Sequence, residues 1–147
     1  MHEIIGDIWD WQGHAIIAIT TNGSVSKSGR AILGRGVAKQ AGARFPALAE
    51  TLGSLVAKHG NHVADLGNGL ITFPVEETAW SQPDPRIIAR SAGELRILAD
   101  AMGWQKIIVP RPACGGGGFA WHTVRPLLIP WFDDRFFIIT VQNGAAA

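Results

Sequence analysis

The sequence lacks the features that mark secreted, membrane-spanning and strongly charged proteins. Its single cysteine, Cys114, among 147 residues excludes an intramolecular disulfide framework and fits a reducing compartment. No basic segment followed by a long apolar run opens the chain, and no apolar run approaches the roughly 20 residues that span a bilayer. The 13 basic and 12 acidic residues nearly balance, which argues against a general nucleic-acid binder. We therefore expect a soluble, cytoplasmic protein.

What the sequence does contain is a regular alternation of apolar runs with helical patterns, broken at glycine and proline. The pattern predicts strands at 3–9, 14–20, 63–66, 70–73, 107–109 and 135–141, and helices at 36–44, 46–59, 86–102 and 120–132. Several strands are almost wholly apolar, and their alternation with helices is typical of an α/β fold with a mixed, mostly parallel sheet covered on both faces. We expect one domain over residues 1–142 and a frayed tail at 143–147.

Four consecutive glycines, Gly115 to Gly118, follow the predicted strand at 107–109 and precede a predicted helix. Glycine lets backbone N–H groups come close to a ligand, and a helix start adds a partial positive charge. This combination favours a phosphate. The alternative is a flexible turn, since the tract lacks the Lys-Ser/Thr of a P-loop and the spacing of a dinucleotide fingerprint.

A second loop rich in glycine and serine, at 22–36, also follows an apolar strand and precedes a helix. The carboxyl ends of parallel strands meet at one edge of a sheet, so both loops should open there. Two such loops side by side suit a diphosphate better than a single phosphate.

Several motifs follow one another along the chain: Gly-Asp-Ile at 6–8, Thr-Asn at 21–22 with GRGVA at 34–38, Phe-Pro at 73–74, and PRPACGGGGFAW at 110–121. In this order they resemble the motifs of macrodomains, the ADP-ribose-binding α/β/α family. The last motif is similar to the second phosphate loop of one branch, which includes terminal ADP-ribose glycohydrolases and the antitoxin enzymes that strip ADP-ribose from DNA. Phage-borne and bacterial stand-alone members are the most similar. The resemblance covers nearly the whole chain and implies a three-layer α/β/α fold.

The resemblance also implies a binding site. The Asp7 carboxylate would meet the adenine amino group, Asn22 and the first loop would hold the distal ribose and a phosphate, and the second loop would hold phosphate. The implied ligand-binding residues are Asp7, Ile8, Thr21, Asn22, Gly34, Arg35, Gly36, Val37, Phe73, Pro74, Ala113, Cys114, Gly115, Gly116, Gly117, Gly118 and Phe119. ADP-ribose would be the ligand, free or attached to protein or nucleic acid, with no cofactor. The histidines show no paired spacing for a metal, and we expect a monomer.

The chain departs from the hydrolytic relatives at two positions. A lysine that attacks the anomeric carbon is expected just after the Phe-Pro pair, where this chain has Val75, Glu76 and Glu77. A carboxylate is expected in the second loop, where this chain has Ala120. Without the amine the covalent Schiff-base route is closed, and without the loop carboxylate the partner acid or base is missing.

Some side chains have two interpretations. Glu76 and Glu77 either activate a water or are simply solvated, and Trp80 either covers a ribose or base or is a loop residue. Cys114 is either a lowered-pKa thiol or, as we favour, a small packing residue. Arg35 is the best candidate to neutralise phosphate.

Three functions follow from this reading. The first is a binding module for ADP-ribose, and the second is an ADP-ribosyl hydrolase acting on protein, DNA or ADP-ribose 1″-phosphate through a water activated by Glu76 or Glu77. The third and least favoured is an accessory protein that binds single-stranded nucleic acid, whose affinity would depend on salt.

Overall fold

The computed structural model describes residues 1–115 and 118–141 and has a six-stranded sheet between helices. Gly116, Gly117 and the predicted tail at 143–147 lie outside the described residues. The strands are β1 (His2–Ile5), β2 (Ile16–Thr21), β3 (Asp65–Gly67), β4 (Leu70–Pro74), β5 (Ile107–Pro110) and β6 (Phe136–Thr140). The helices are α1 (Val37–Arg44), α2 (Leu48–His59), α3 (Pro85–Met102) and α4 (Trp121–Leu128), and a short 3-10 helix covers Ile8–Trp11.

The sheet has the strand order β1-β6-β5-β2-β4-β3. Every pairing is parallel except that of β3 with β4, which form a hairpin across the Gly67-Asn68-Gly69 turn. The prediction of a mostly parallel α/β sheet is therefore confirmed. The carboxyl ends of β2, β4, β5 and β6 meet at one edge, which we call the carboxyl edge.

Alternating side chains along each strand divide the core into two layers. On β5, Ile107 and Val109 pack with α3 and α4, whereas Ile108 faces α1 and the 3-10 helix. On β2, Ala18 faces the first layer and its neighbour Ile19 the second. All five residues are fully buried, and burying a side chain as large as Ile stabilises the fold by about 1.5–3 kcal/mol relative to leaving it exposed.

Helix α3 follows its sequence signals closely. The Asp84 carboxylate accepts a hydrogen bond from the Arg86 N–H at 2.9 Å, Pro85 occupies the first turn, and Gly103 ends the helix with φ of 70°. Asp and Pro at the start and Gly at the end are the residues that these positions favour. The prediction of 86–102 was correct to within one residue.

Several predicted boundaries were wrong. The strand predicted at 3–9 ends at Ile5, because the Asp7 carboxylate caps the Trp9 N–H at 2.9 Å and begins the 3-10 helix. The strand predicted at 63–66 begins at Asp65, since the Ala64 N–H donates to the Thr72 hydroxyl instead of to a strand carbonyl. The helix predicted at 120–132 ends at Leu128, and Pro126 lies inside it.

No helix of the described residues is both long and apolar enough to cross a membrane. The residues that the structure describes also contain no group of three or more His, Cys, Asp or Glu side chains able to hold a metal ion.

Helix α2 supports the loop at 22–36 from beneath, which makes Gly53 a test of this packing. A Cβ atom at Gly53 would collide with the backbone carbonyl oxygen of Gly29, and the Ala31 N–H donates to the Ala49 carbonyl at 2.8 Å beside it. We expect Gly53→Ala to lower stability by about 1–3 kcal/mol, as overpacking does. For a domain of this size the melting temperature should fall by about 2–4 °C per kcal/mol in a thermal unfolding scan.

Gly42→Ala in α1 is the matched control. Its Cβ would meet only the flexible end of Leu33, which can move aside. A Gly53→Ala protein that melts at or above the temperature of Gly42→Ala would contradict the proposed loop support.

Candidate functional site

Two adjoining pockets lie along the carboxyl edge of the sheet, and together we call them the cleft. It has two halves, with volumes of about 580 Å³ and about 620 Å³. Val37, Gln40 and Pro110 line both halves and so form the junction between them. The two predicted loops do open at the same edge.

The first half, which we call the apolar half, lies between α1 and the ends of β1 and β6. Its lining residues are Gly6, Asp7, Ile8, Trp9, Val37, Gln40, Arg44, Pro110, Ile139, Thr140 and Val141. Asp7 is exposed and uses one carboxylate oxygen to cap Trp9. A largely apolar pocket with a carboxylate in its lining can accept a heterocyclic ring that carries an amino group.

The second half, which we call the polar half, is bounded by three loops. They follow β2, β4 and β5, and the lining residues are Thr20, Thr21, Asn22, Leu33, Gly34, Arg35, Gly36, Val37, Gln40, Val75, Glu76, Ala79, Trp80, Ser81, Gln82, Pro83, Pro110, Arg111, Ala113 and Gly115. The lining includes two arginines, a carboxylate, residues with hydroxyl and amide groups, and several glycines. Such a lining suits phosphate and sugar oxygens.

Asn22 is almost fully buried and holds the first loop together. Its amide nitrogen donates to the Ile32 carbonyl at 2.9 Å, and its amide oxygen accepts from the Ser24 N–H at 2.8 Å. These bonds bridge the two ends of the loop. The neighbouring Thr21 hydroxyl is buried and has no hydrogen-bond partner among the described residues.

Two glycines shape the approach of the first loop to α1. Gly34 and Gly36 have φ of 69° and 72°, a region that other residues rarely adopt. Gly36 precedes Val37 and offers no side-chain cap to the helix. The first N–H groups of α1 are therefore available to an anion in the cleft.

The second loop turns at Ala113, whose φ of 60° is unusual for a residue with a side chain. The Ala113 carbonyl accepts from the Phe119 N–H at 3.0 Å, which closes the loop across the glycine tract. Ala113 and Gly115 line the polar half. The predicted ligand residues Gly116 and Gly117 lie outside the described residues, and Gly118 is exposed.

Cys114 and Phe119 pack against the core layer that contains α3 and α4 rather than lining the cleft. The Cys114 thiol donates to the Pro112 carbonyl, with sulfur and oxygen 3.4 Å apart. Burial raises the pKa of this thiol, against the weaker opposing effect of Arg111. Both features agree with the packing role and not with a reactive thiolate.

The loop after β4 separates the two adjacent glutamates. Glu76 lines the polar half, whereas Glu77 is exposed and does not. The backbone is held on both sides, because Asn61 donates to the Glu76 carbonyl at 3.0 Å and the Gly23 N–H donates to the Glu77 carbonyl at 3.1 Å. A Cβ on Gly23 would lie only 2.8 Å from that second carbonyl, so the close approach requires glycine.

Trp80 stands at the rim of the polar half with 80% of its surface exposed. The loop around it is tied to the first loop, since the Ala79 N–H donates to the Ser24 hydroxyl at 2.9 Å. An indole so exposed has a free ring face, which suits stacking.

The basic residues have different surroundings. Arg35 lines the polar half, whereas Arg30 pairs with Glu50 at 2.7 Å, outside the cleft lining. Arg111 lines the polar half but also lies 3.6 Å from the Glu3 carboxylate and over the Trp121 ring, so it has a structural role too.

Phe73 and Pro74 were predicted to bind ligand, but the structure places them behind the cleft. Phe73 is fully buried in the core, and the buried Pro74 uses its carbonyl to accept a hydrogen bond from Ser91. Neither lines the apolar or the polar half. Their position at the end of β4 instead sets where the Glu76 loop begins.

Trp9, Gln40 and Arg44 line the cleft but were not predicted as site residues from the sequence. Gln40 follows Val37 by three residues, so helical spacing could have placed both on one face of α1. Nothing in the local sequence indicates that the Trp9 indole nitrogen donates to the Gln40 amide oxygen at 2.7 Å.

Comparison with known proteins gives matches among solved structures alone. No family model matches the chain, and no curated protein matches it. The macrodomain of Mycobacterium tuberculosis DarG superposes with a TM-score of 0.75 at 20% identity, over 95% of this chain and 98% of that one. The macrodomain of Thermus aquaticus DarG gives 0.69 at 16% identity, over 95% of each chain.

Thermosipho africanus DarTG, solved in complex with ADP-ribose, gives a TM-score of 0.76 at 14% identity over all of this chain and 43% of that longer chain. These superpositions cover between 95% and 100% of this chain. The chain therefore has the macrodomain fold, of the type found in DarG.

Proposed function

We propose that the protein binds ADP-ribose, free or attached to a macromolecule, in the cleft at the carboxyl edge. The observation that supports this proposal is the junction at Val37, Gln40 and Pro110. It joins the apolar half, which includes the Asp7 carboxylate, to the polar half, which includes the turns at Gly34 and Gly36. Adenine would lie in the apolar half, the diphosphate near the junction, and the distal ribose in the polar half.

The chemistry of each half supports this orientation. The apolar half offers Ile8 and Val37 to a flat ring and Asp7 to an exocyclic amino group. The polar half offers the uncapped start of α1, the turns at Gly34 and Gly36, and Arg35 to phosphate oxygens. DarTG from Thermosipho africanus, part of which has the same fold, was solved with ADP-ribose.

Calorimetric titration with ADP-ribose tests the binding, with AMP and ribose 5-phosphate as partial ligands. We expect ADP-ribose to bind more tightly than either, because it alone occupies both halves. Asp7→Asn should weaken ADP-ribose binding by about tenfold, as loss of a charged hydrogen bond does. The Asn oxygen would still cap Trp9, but its amide group would face the ligand's amino group, so donor would meet donor.

Asp10→Asn is the matched control, since Asp10 lies on the same 3-10 helix, is exposed and does not line the cleft. Its affinity should equal that of the wild type. No heat and no thermal shift with millimolar ADP-ribose would refute the binding proposal itself, and equal losses in both variants would refute the role of Asp7.

A second candidate function is hydrolysis of an ADP-ribosyl bond, and the position of Glu76 favours it. The Glu76 carboxylate lies in the polar half, where the distal ribose would sit. Burial raises the pKa of Glu76, and the Arg35 charge opposes part of this rise. A carboxylate with a raised pKa is a stronger base and is therefore better suited to accept a proton from water.

The raised pKa has a consequence for stability that does not require any ligand. The folded protein binds a proton at Glu76 more tightly than the unfolded chain does, so protonation favours folding at low pH, and this contribution is lost as the pH rises through the folded-state pKa. We expect Glu76→Gln, which resembles the protonated form, to raise the melting temperature at pH 7.5. The advantage should vanish below the ordinary Glu pKa of 4.5.

Glu77→Gln provides the control for both stability and activity. Glu77 is the adjacent carboxylate but is exposed and outside the cleft lining. With ADP-ribosylated protein or DNA as substrate, Glu76→Gln should abolish turnover and Glu77→Gln should retain it. Turnover by Glu76→Gln at the wild-type rate would eliminate the water route, and no turnover by the wild type would leave binding as the function.

A further inference from the structure

Gln40 lies at the junction of the cleft, and its side-chain amide has a defined orientation. The indole nitrogen of Trp9 is 2.7 Å from the Gln40 amide oxygen. An indole N–H can donate but cannot accept a hydrogen bond, so the atom that faces it must be the amide oxygen. The amide nitrogen, with two donor hydrogens, is then the end that remains for a ligand.

The surroundings of Trp9 hold this orientation in place. Trp9 is buried in the core layer that contains α1, and its backbone N–H is capped by Asp7. The Arg44 guanidinium lies 4.6 Å from the centre of the indole ring and covers one face of it. The indole is therefore restrained before any ligand arrives, and the Gln40 amide is restrained through it.

We propose that Gln40 recognises the diphosphate where it crosses from the apolar to the polar half, by donating its amide N–H groups to phosphoryl oxygen. This rests on the proposed binding of ADP-ribose and adds the element that distinguishes a nucleoside diphosphate derivative from the bare nucleoside. Trp9 is the positioning residue, because it turns the amide nitrogen toward the cleft. Both residues line the apolar half, and Gln40 lines the polar half as well.

Gln40→Glu is the most direct test, because it is nearly isosteric. The new carboxylate can still accept from the Trp9 indole, but it presents a negative oxygen to the ligand in place of a donor. We expect affinity for ADP-ribose and ADP, measured by ligand-observed NMR and calorimetry, to fall at least tenfold. Affinity for adenosine should stay within twofold.

Lys39→Gln is the matched control. It changes the net charge by the same single unit on the adjacent residue of α1, but Lys39 is exposed and lines neither half. Its affinity for ADP-ribose should remain within threefold of the wild type. Equal losses in Gln40→Glu and Lys39→Gln would mean a general charge effect and would overturn the proposal.

A double-mutant cycle that combines Trp9→Phe with Gln40→Ala tests whether Trp9 acts through Gln40. Trp9→Phe keeps an aromatic ring but removes the hydrogen-bond donor. We expect it to lower the affinity for ADP-ribose about threefold in the wild-type background and not at all in the Gln40→Ala background. The same loss in both backgrounds would show that Trp9 acts by shape and would overturn its positioning role.

Binding of ADP-ribose by the wild type tests the proposed function, and the ligand preference of Gln40→Glu tests the role of Gln40. If the wild type does not bind ADP-ribose, the proposed function is wrong. If the wild type binds, but Gln40→Glu lowers the affinity for adenosine as strongly as that for ADP-ribose, or lowers neither, then Gln40 does not recognise the diphosphate. Melting temperatures of all variants within a few degrees of the wild type would show that the comparison is made between folded proteins.

Discussion

Burial of the parallel sheet on both faces is the constraint on which the rest of the structure depends. The central strands carry large apolar side chains toward both layers, so helices must cover both sides of the sheet. Apart from the β3–β4 hairpin, the strands run parallel. The carboxyl ends of β2, β4, β5 and β6 then meet at one edge. The loops that follow them have to share that edge, and the cleft is the space between these loops.

Neutral hydrogen bonds to the backbone hold several parts of the cleft walls in place. Asn22 bridges the first loop, Asn61 and Gly23 hold the backbone at Glu76 and Glu77, and Ser24 ties the Ala79 loop to the first. Neutral bonds of this kind are insensitive to salt, unlike exposed ion pairs. A site built in this way is shaped before a ligand binds, and preorganisation reduces the entropy lost on binding.

The position of Glu76 separates the two candidate functions in physical terms. The resemblance to hydrolytic macrodomains predicts a lysine nucleophile in the stretch from Val75 to Glu77, and in this chain the cleft-lining residue of that stretch is Glu76, whose pKa is raised by burial. Such a group cannot form a Schiff base with the sugar, and chemistry there requires a water molecule. Binding needs no reactive group, because the proposed recognition would use only the apolar half, the turns at Gly34 and Gly36 and the Gln40 amide.

The sequence by itself determined the α/β class, the order of the elements, the ends of α3 and the positions of the two loops. These follow from local properties: runs of apolar residues, caps, and glycines that allow positive φ. The predicted start of β3 was wrong because the Thr72 hydroxyl replaces a backbone partner of Ala64, and the predicted end of β1 was wrong because Asp7 caps Trp9. Tertiary structure alone decided that Glu76 and not Glu77 faces the cleft, that Phe73 lies behind it, and that Trp9 orients Gln40. Each of these depends on contacts between segments distant along the chain, such as Gly23 with Glu77 and Trp9 with Gln40, and local sequence carries no record of such contacts.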